Sequence, residues 1–184
     1  MQNPFLIESD IEFDRSHALC FTGHRPEALP SRGAEDSFGM LRLHMLLERV
    51  VVRALDDGFT SFLAGGALGF DTMAAEAVLR LSRGNPGVRL YLALPGRDQA
   101  DGWSERDLAR YGEILSAANG RVYYAAERCS PSSMRKRNRY LVDHASCCIA
   151  YLRRMHGGTL YTVNYALERG LEVDNLALRE SEIL

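Results

Sequence analysis

Short apolar runs rich in β-forming residues alternate with longer stretches of helical periodicity along most of this chain. The strand-like runs cover residues 18–22, 59–64, 88–94, 122–125, 147–152 and 173–178. The helical stretches between them cover residues 38–57, 70–83, 104–118, 131–144 and 157–168. Parallel strands joined by helices require right-handed crossovers, so this alternation predicts an α/β fold. We expect a doubly wound, mainly parallel sheet of about six strands with helices on both faces.

Local signals mark the ends of the first predicted helix. Ser37 is a suitable N-cap, and Gly58 follows the helix where a C′ glycine is common. Between them apolar residues recur at helical spacing, among them Leu41, Met45, Val52 and Leu55.

Length and composition fit one folded domain. The chain has 184 residues, of which 46% are hydrophobic, enough for one core of ordinary size. We assign residues 1–16 to an irregular N-terminal extension and residues 17–184 to a single domain. The formal net charge of −2 disfavours broad binding to duplex nucleic acid or to anionic membranes, which both need many cationic contacts.

The cysteines and the N-terminal residues point to a cytoplasmic protein. The four cysteines, Cys20, Cys129, Cys147 and Cys148, lack the spacing of a metal site, so we expect no metal and reduced thiols. The start of the chain carries acids and no long apolar stretch, so we expect neither a signal peptide nor a membrane partner.

Ligands of open parallel sheets bind beyond the carboxyl ends of the strands. Two glycine-bearing helix starts lie there, residues 65–71 and residues 157–159. Gly65, Gly66 and Gly69 either let backbone N–H groups approach a phosphate or only permit tight packing. Asp71 is a first-turn acid, a partner for a ribose hydroxyl, or a base.

The second glycine pair favours an anion site. Gly157 and Gly158 can form a backbone nest, and the Thr159 hydroxyl adds a donor. Arg137 and Asn138 fall on the apolar face of the helix before it. There Arg137 is placed to bind a phosphate or carboxylate, the alternative being a structural salt bridge to Asp143 or Asp71.

Together these segments resemble the motifs of the SLOG superfamily. The resemblance rests, in chain order, on residues 20–26, including Thr22, Gly23, His24 and Arg25, on residues 64–71, on Met134 with Arg137, Asn138, Val142 and Asp143, and on Gly157-Gly158-Thr159. This superfamily joins DprA/Smf DNA-processing proteins, LOG (Lonely guy) phosphoribohydrolases and a YpsA-like branch, which the chain resembles most. The resemblance implies a Rossmann-like domain that binds a nucleotide or a nucleotide-derived molecule.

The same resemblance bears on catalysis. Gly69 and Asp71 correspond to the Gly-x-acid of the branch, and Arg137 falls where LOG enzymes carry a catalytic arginine. Thr162 or Asn164 stands where those enzymes have a glutamate, so LOG-type hydrolysis would need Asp71 or Glu76 as a substitute acid.

Three functions follow as hypotheses. The first is binding or sensing of a nucleotide or a nucleotide-derived small molecule, and the sequence identifies no cofactor beyond such a ligand. The second is an N-glycosidic hydrolase acting on a nucleoside monophosphate or NAD-like substrate, with Asp71 and Arg137 as catalytic residues. The third is DprA-like binding of single-stranded DNA, which the net charge disfavours. Exposed apolar helices would support a homodimer.

Overall fold

The computed structural model describes residues 14–118 and 122–179. Within these ranges the strands are β1 (Ala18–Gly23), β2 (Ser61–Ala64), β3 (Arg89–Leu94), β4 (Val122–Tyr124), β5 (Cys147–Tyr151) and β6 (Glu172–Asn175). The helices are α1 (Phe38–Asp56), α2 (Phe70–Ser82), α3 (Glu105–Ala117), α4 (Pro131–Asp143) and α5 (Gly158–Glu168). The strands form one sheet in the order β4-β3-β2-β1-β5-β6, and each neighbouring pair is parallel.

Both faces of the sheet are covered by helices. Leu19 and Phe21 of β1 pack with residues of α1, α2 and α3 on one face. Ala18 and Cys20 of the same strand pack with residues of α4 and α5 on the other. Burial on both faces explains why the central strands are continuous apolar runs. The predicted α/β fold is confirmed.

The strand order reverses at β1. The chain first adds β2, β3 and β4 on one side of β1, and then crosses over to place β5 and β6 on the other side. β1 and β5 are direct neighbours, with Thr22 opposite Ala150 and Gly23 opposite Tyr151. The loops that leave these two strands therefore diverge to opposite faces and leave a crevice between them.

The end signals of α1 hold, but its apolar stripe differs from the predicted one. The Ser37 hydroxyl accepts a hydrogen bond from the backbone of Met40 at 3.3 Å, and Gly58 has φ +91°. Leu41, Met45 and Val52, however, are exposed on the outer side. The core stripe of α1 consists instead of Met40, Leu43, Leu46, Leu47, Val50, Val51 and Ala54. Because α1 is apolar on more than one side, helical spacing alone could not select its buried face.

Two strands, β2 and β6, are each two residues shorter than predicted. β6 ends at Asn175, and Leu176–Leu178 form a short 3-10 helix. The Asn175 side chain causes this ending, since its oxygen accepts hydrogen bonds from the backbone of Leu152 at 2.9 Å and of Ala177 at 3.2 Å. β2 starts at Ser61, because the N–H of Phe59 still bonds to Ala54 at the end of α1.

Some expectations fall on other parts of the chain. Residues 1–13 of the predicted N-terminal extension lie outside the described residues. In the described ranges, the helices are all too short or too polar to cross a bilayer.

Gly69 brings the start of α2 against the end of β1. Its φ of +95° is left-handed, and a Cβ built there would lie 2.5 Å from the carbonyl oxygen of His24. The next residue, Phe70, donates its N–H to the same oxygen at 3.1 Å. Only glycine permits both the dihedral angle and the contact.

We therefore predict that Gly69→Ala lowers the free energy of unfolding by about 3 kcal/mol, through backbone strain and the clash with His24. Urea unfolding followed by circular dichroism measures this loss. Gly112→Ala is the matched control, since Gly112 lies within α3 and a Cβ there would have no heavy atom within 4 Å. That control should gain about 0.5–1 kcal/mol. Equal stability of Gly69→Ala and the parent would refute the packing argument.

Candidate functional site

A cavity of about 430 Å³ occupies the crevice between the ends of β1 and β5. Its walls come from four segments: the loop after β1, the start of α2, the inner face of α4 and the start of α5. They contribute Thr22, Gly23, His24, Arg25, Glu27, Ala28, Ala67, Asp71, Met134, Arg137, Asn138, Leu141, Arg154, His156, Gly157, Gly158 and Thr159. Ten of the thirteen predicted ligand-binding residues line this one space. We refer to it as the switch-point cavity.

A buried ion pair closes the floor of this cavity. The Arg137 Nη1 lies 3.3 Å from Oδ2 of Asp71, and the two side chains are only 10% and 7% exposed. α2 and α4 lie on opposite faces of the sheet, so the pair joins the two helical layers across its carboxyl edge. The salt bridge to Asp71, which the sequence left open as an alternative for Arg137, is present.

Burial raises the pKa of Asp71 above its usual range, while the nearby charges of Arg137 and Arg25 oppose the increase. Arg137 stays charged, because a guanidinium does not lose its proton in a protein. Its Nε is buried and has no hydrogen-bond partner among the described residues. This N–H can still donate a hydrogen bond to one further acceptor. Leaving it unpaired costs free energy, because a buried donor has lost its bonds to water.

The start of α5 faces the cavity without a side-chain cap. Its N-cap is Gly157, with φ +87°. Because glycine has no side chain, no capping oxygen accepts a hydrogen bond from the first-turn N–H groups. A Cβ at Gly157 would have no described heavy atom within 4 Å, and one at Gly158 would have only the Asn138 Nδ2, at 4.0 Å. This open helix end offers backbone donors and the positive end of the helix dipole to an anion.

His24 fixes the loop that leads to α5. Its Nε2 lies 2.9 Å from the backbone nitrogens of both Arg153 and Arg154 and accepts hydrogen bonds from them. This ring nitrogen must therefore be unprotonated. Burial lowers the pKa of His24, and the charges of Arg154, His156 and Arg153 lower it further. His24 is consequently a neutral anchor for the loop.

Three predicted binding residues do not line the cavity. A Cβ at Gly65 would lie 1.4 Å from the Arg137 Nη1, so the guanidinium occupies the space above this glycine. Gly66 is covered by Leu94 and by Gln99, whose side chain donates to the Gly66 carbonyl at 2.9 Å. Gly69 packs against the loop after β1. Of the two alternatives for this turn, the structure shows tight packing.

The substitute acid Glu76 lies away from the switch-point cavity. It forms an ion pair with Arg110 of α3. Thr162 donates its hydroxyl to the carbonyl of Gly158 at 2.8 Å, and Asn164 is exposed. Neither of them lines the cavity. Among the described lining residues, the carboxylates are those of Asp71 and Glu27.

Arg154 was missed by the sequence analysis. It lines the cavity next to Arg25 and Arg137, and its Nη2 donates to the Glu27 carbonyl at 3.1 Å. The rule that ligands bind beyond the strand ends includes this residue, since it follows β5 directly. With three arginines against two acids, the lining is basic although the whole chain is slightly acidic.

A second cavity of about 500 Å³ lies between α1, α2, α3 and residues 26–36. Its arginines are already neutralised, since Arg106 pairs with Glu35, and Arg110 pairs with Glu35 and Glu76. It therefore attracts an anion less than the switch-point cavity does.

A protein-family model described as the YspA SLOG family matches residues 19–175. The uncharacterized SPbeta prophage-derived protein YoqJ of Bacillus subtilis is 30% identical over 116 residues, which cover 57% of this chain and 68% of that protein. A UPF0398 protein of Halalkalibacterium halodurans is 28% identical over 134 residues, 71% of this chain and 70% of that protein.

Two solved structures share the fold. DNA processing protein A (DprA) from Streptococcus pneumoniae has a TM-score of 0.58 and 19% identity, covering 85% of this chain and 48% of that one. DprA from Helicobacter pylori, described with a single-stranded DNA binding mode, has a TM-score of 0.56 and 17% identity. This match covers 85% of this chain and 63% of the Helicobacter pylori chain.

The ion pair predicts an asymmetric response to substitution. Arg137→Met should lower the free energy of unfolding by about 3 kcal/mol at pH 7, because Asp71 is left buried without its partner. Adding Asp71→Asn should recover most of this loss, since the unpaired charge is removed. Urea unfolding of the parent, the single variant and the double variant tests this. If Arg137→Met had the same free energy of unfolding as the parent, the ion pair would not stabilise the fold.

The hydrogen bonds that the neutral His24 ring accepts predict that the free energy of unfolding depends on pH. The unfolded imidazole binds a proton near its ordinary pKa of 6.5, whereas folding lowers the pKa of His24. Between these values the unfolded chain holds more protons, so the free energy of unfolding falls as pH decreases from 7 through this window. His24→Gln keeps an acceptor but does not titrate, and should flatten the slope. Burial also lowers the pKa of His44, which adds to the same slope. The parent and the His24→Gln variant should therefore both be compared in a His44→Gln background. Equal slopes would contradict the anchor.

Proposed function

This chain belongs to the YspA SLOG family, and on that premise we propose that it binds a nucleotide or a nucleotide-derived small molecule in the switch-point cavity. One observation supports the proposal above all. The buried guanidinium of Arg137, with its unpaired Nε, lines the same cavity as the uncapped start of α5. Both features need an acceptor, and a phosphate supplies several oxygens at once.

We propose a role for each wall of the cavity. The phosphate would lie at Gly157, Gly158 and Thr159, where backbone N–H groups and a hydroxyl converge. Arg137 and Arg154 would neutralise its charge. A volume of about 430 Å³ is within the range of small-molecule pockets.

The remaining walls suit the rest of a nucleotide. Asp71 is positioned as an acceptor for a sugar hydroxyl, because its carboxylate lines the cavity beside Arg137. Met134 and Leu141 of α4 supply apolar surface, which suits a base. We expect these contacts to orient the ligand once its phosphate is bound.

The alternative functions have less support. An N-glycosidic hydrolase of the kind considered above would depend on Asp71 as its acid, because Thr162 and Asn164 carry no carboxylate and Glu76 pairs with Arg110 away from the cavity. Binding of single-stranded DNA appears in the description of one structural neighbour. At 17% identity, that neighbour shares the fold with this chain and supports nothing more specific. A strand would extend beyond a cavity of this size, so we place the small ligand first.

We predict that a nucleoside 5′-monophosphate binds whereas the nucleoside without its phosphate does not bind at the same concentration. A thermal-shift panel of nucleotides, cyclic nucleotides, NAD and ADP-ribose, each with its phosphate-free control, measures this. Saturation at 100 times Kd stabilises the protein by about 2.7 kcal/mol. A melting temperature that no member of the panel changes at millimolar concentration would contradict the proposal.

Gly158→Ala tests the position of the phosphate. The fold tolerates this methyl group, since the nearest heavy atom to a Cβ there is 4.0 Å away. The methyl would obstruct the open end of α5, so the affinity for the monophosphate should fall about tenfold, a loss of about 1.4 kcal/mol. Gly112→Ala is the control and should bind like the parent. Unchanged affinity of Gly158→Ala would place the phosphate elsewhere.

A further inference from the structure

An exposed apolar stripe runs along the outer side of α1. Phe38 is 71% exposed, Leu41 50%, Met45 54% and Val52 42%. Their spacing of three, four and seven residues puts them on one side of the helix. We call these four residues the α1 stripe. Contiguous apolar surface of this kind is typical of a covered face rather than of a solvated one.

A row of arginines borders the α1 stripe. Arg42, Arg49 and Arg53 follow each other at seven and four residues and so share one flank. Arg53 also forms an exposed ion pair with Asp57, at 3.8 Å. The Arg42 guanidinium lies over the Phe38 ring, 5.5 Å from its centroid. Its Nε and Nη2 are buried and have no hydrogen-bond partner in the described ranges. The occupant of the stripe should therefore be both apolar and acidic.

A second copy of this chain does not meet that requirement. A twofold axis that pairs two α1 helices in antiparallel orientation brings the same flank of each together, so arginines would face arginines. A parallel pairing would place the arginine row opposite Glu48, which is already paired with Arg80 of α2. Like charges in contact destabilise an interface, and a satisfied acid adds little.

The N-terminal segment, residues 1–13, has the required composition. It contains the acids Glu8, Asp10 and Glu12 and no basic residue. Its apolar residues are Phe5, Leu6, Ile7, Ile11 and Phe13, with Met1 at the start.

The segment also begins in reach of the stripe. Four residues after its end, the His17 ring lies 3.8 Å from a Cβ built at Gly58, directly beyond the last turn of α1. α1 has 19 residues and is about 28 Å long. Thirteen extended residues span up to about 43 Å. The segment can therefore cover the full length of the stripe from the end of α1 nearest to it.

We infer that the N-terminal segment docks on the α1 stripe of its own molecule, with its apolar side chains on the stripe and its acids against the arginine row. This inference is independent of the switch-point cavity, which lies at the opposite edge of the sheet from Asp14. It gives residues 1–13 a function as an intramolecular cover.

Proteolysis of the 184-residue chain with reciprocal charge reversal tests the docking. Chymotrypsin cleaves after Phe5 and Phe13, and cleavage follows the population of the released segment. Glu8→Lys, Asp10→Lys and Glu12→Lys together should accelerate cleavage about tenfold. Arg42→Glu, Arg49→Glu and Arg53→Glu together should do the same. Combining the two sets restores opposite charges, so the slow cleavage of the parent should return.

The matched control reverses an exposed basic row on the other face of the sheet, Arg135→Glu, Lys136→Glu and Arg139→Glu on α4, and should leave the cleavage rate unchanged. Circular dichroism confirms that each variant is folded. Equal cleavage rates in all variants would overturn the inference. So would sedimentation that shows a dimer which dissociates when residues 1–13 are removed, because the segment would then cover a second copy.

Discussion

The buried pair between Asp71 and Arg137 holds the candidate site together. It joins a helix on one face of the sheet to a helix on the other, directly over the end of β2. Because the guanidinium needs the space above Gly65, the residue after β2 must lack a side chain. The pair thus fixes the distance between α2 and α4 and forms the floor of the cavity. It also leaves the Nε–H of Arg137 without a hydrogen-bond partner in the described ranges.

The reversal of strand order decides where this pair meets the second half of the site. Since β1 and β5 are neighbours whose connections run to opposite faces, their loops cannot fill the space between them. His24 after β1 and the loop after β5 are tied by two backbone hydrogen bonds. This contact aims the uncapped start of α5 at the cavity. A neutral histidine thereby positions an uncapped helix end without contributing charge itself.

Much of this arrangement could be predicted from the sequence, and the failures have physical reasons. Alternating periodicity predicts the parallel sheet, and the carboxyl-edge rule gathers Arg137, Asn138 and the glycines of α5. Gly65 does not line the cavity, because a guanidinium of the protein needs the same missing side chain as a phosphate would, whereas Gly66 and Gly69 pack against other parts of the fold. Spacing cannot distinguish these two partners. Nor could it choose the buried side of α1, where apolar residues occupy both the core face and the α1 stripe.

We propose that a nucleotide phosphate binds where α5 begins and Arg137 is buried. Titration of a nucleoside monophosphate into ¹⁵N-labelled protein, followed by two-dimensional NMR, tests this binding position. We expect the largest shifts at the backbone amides of Gly158 and Thr159 and at the Arg137 Nε–H. Shifts confined to the second cavity, around Glu35 and His44, or an unchanged spectrum at millimolar ligand would contradict it.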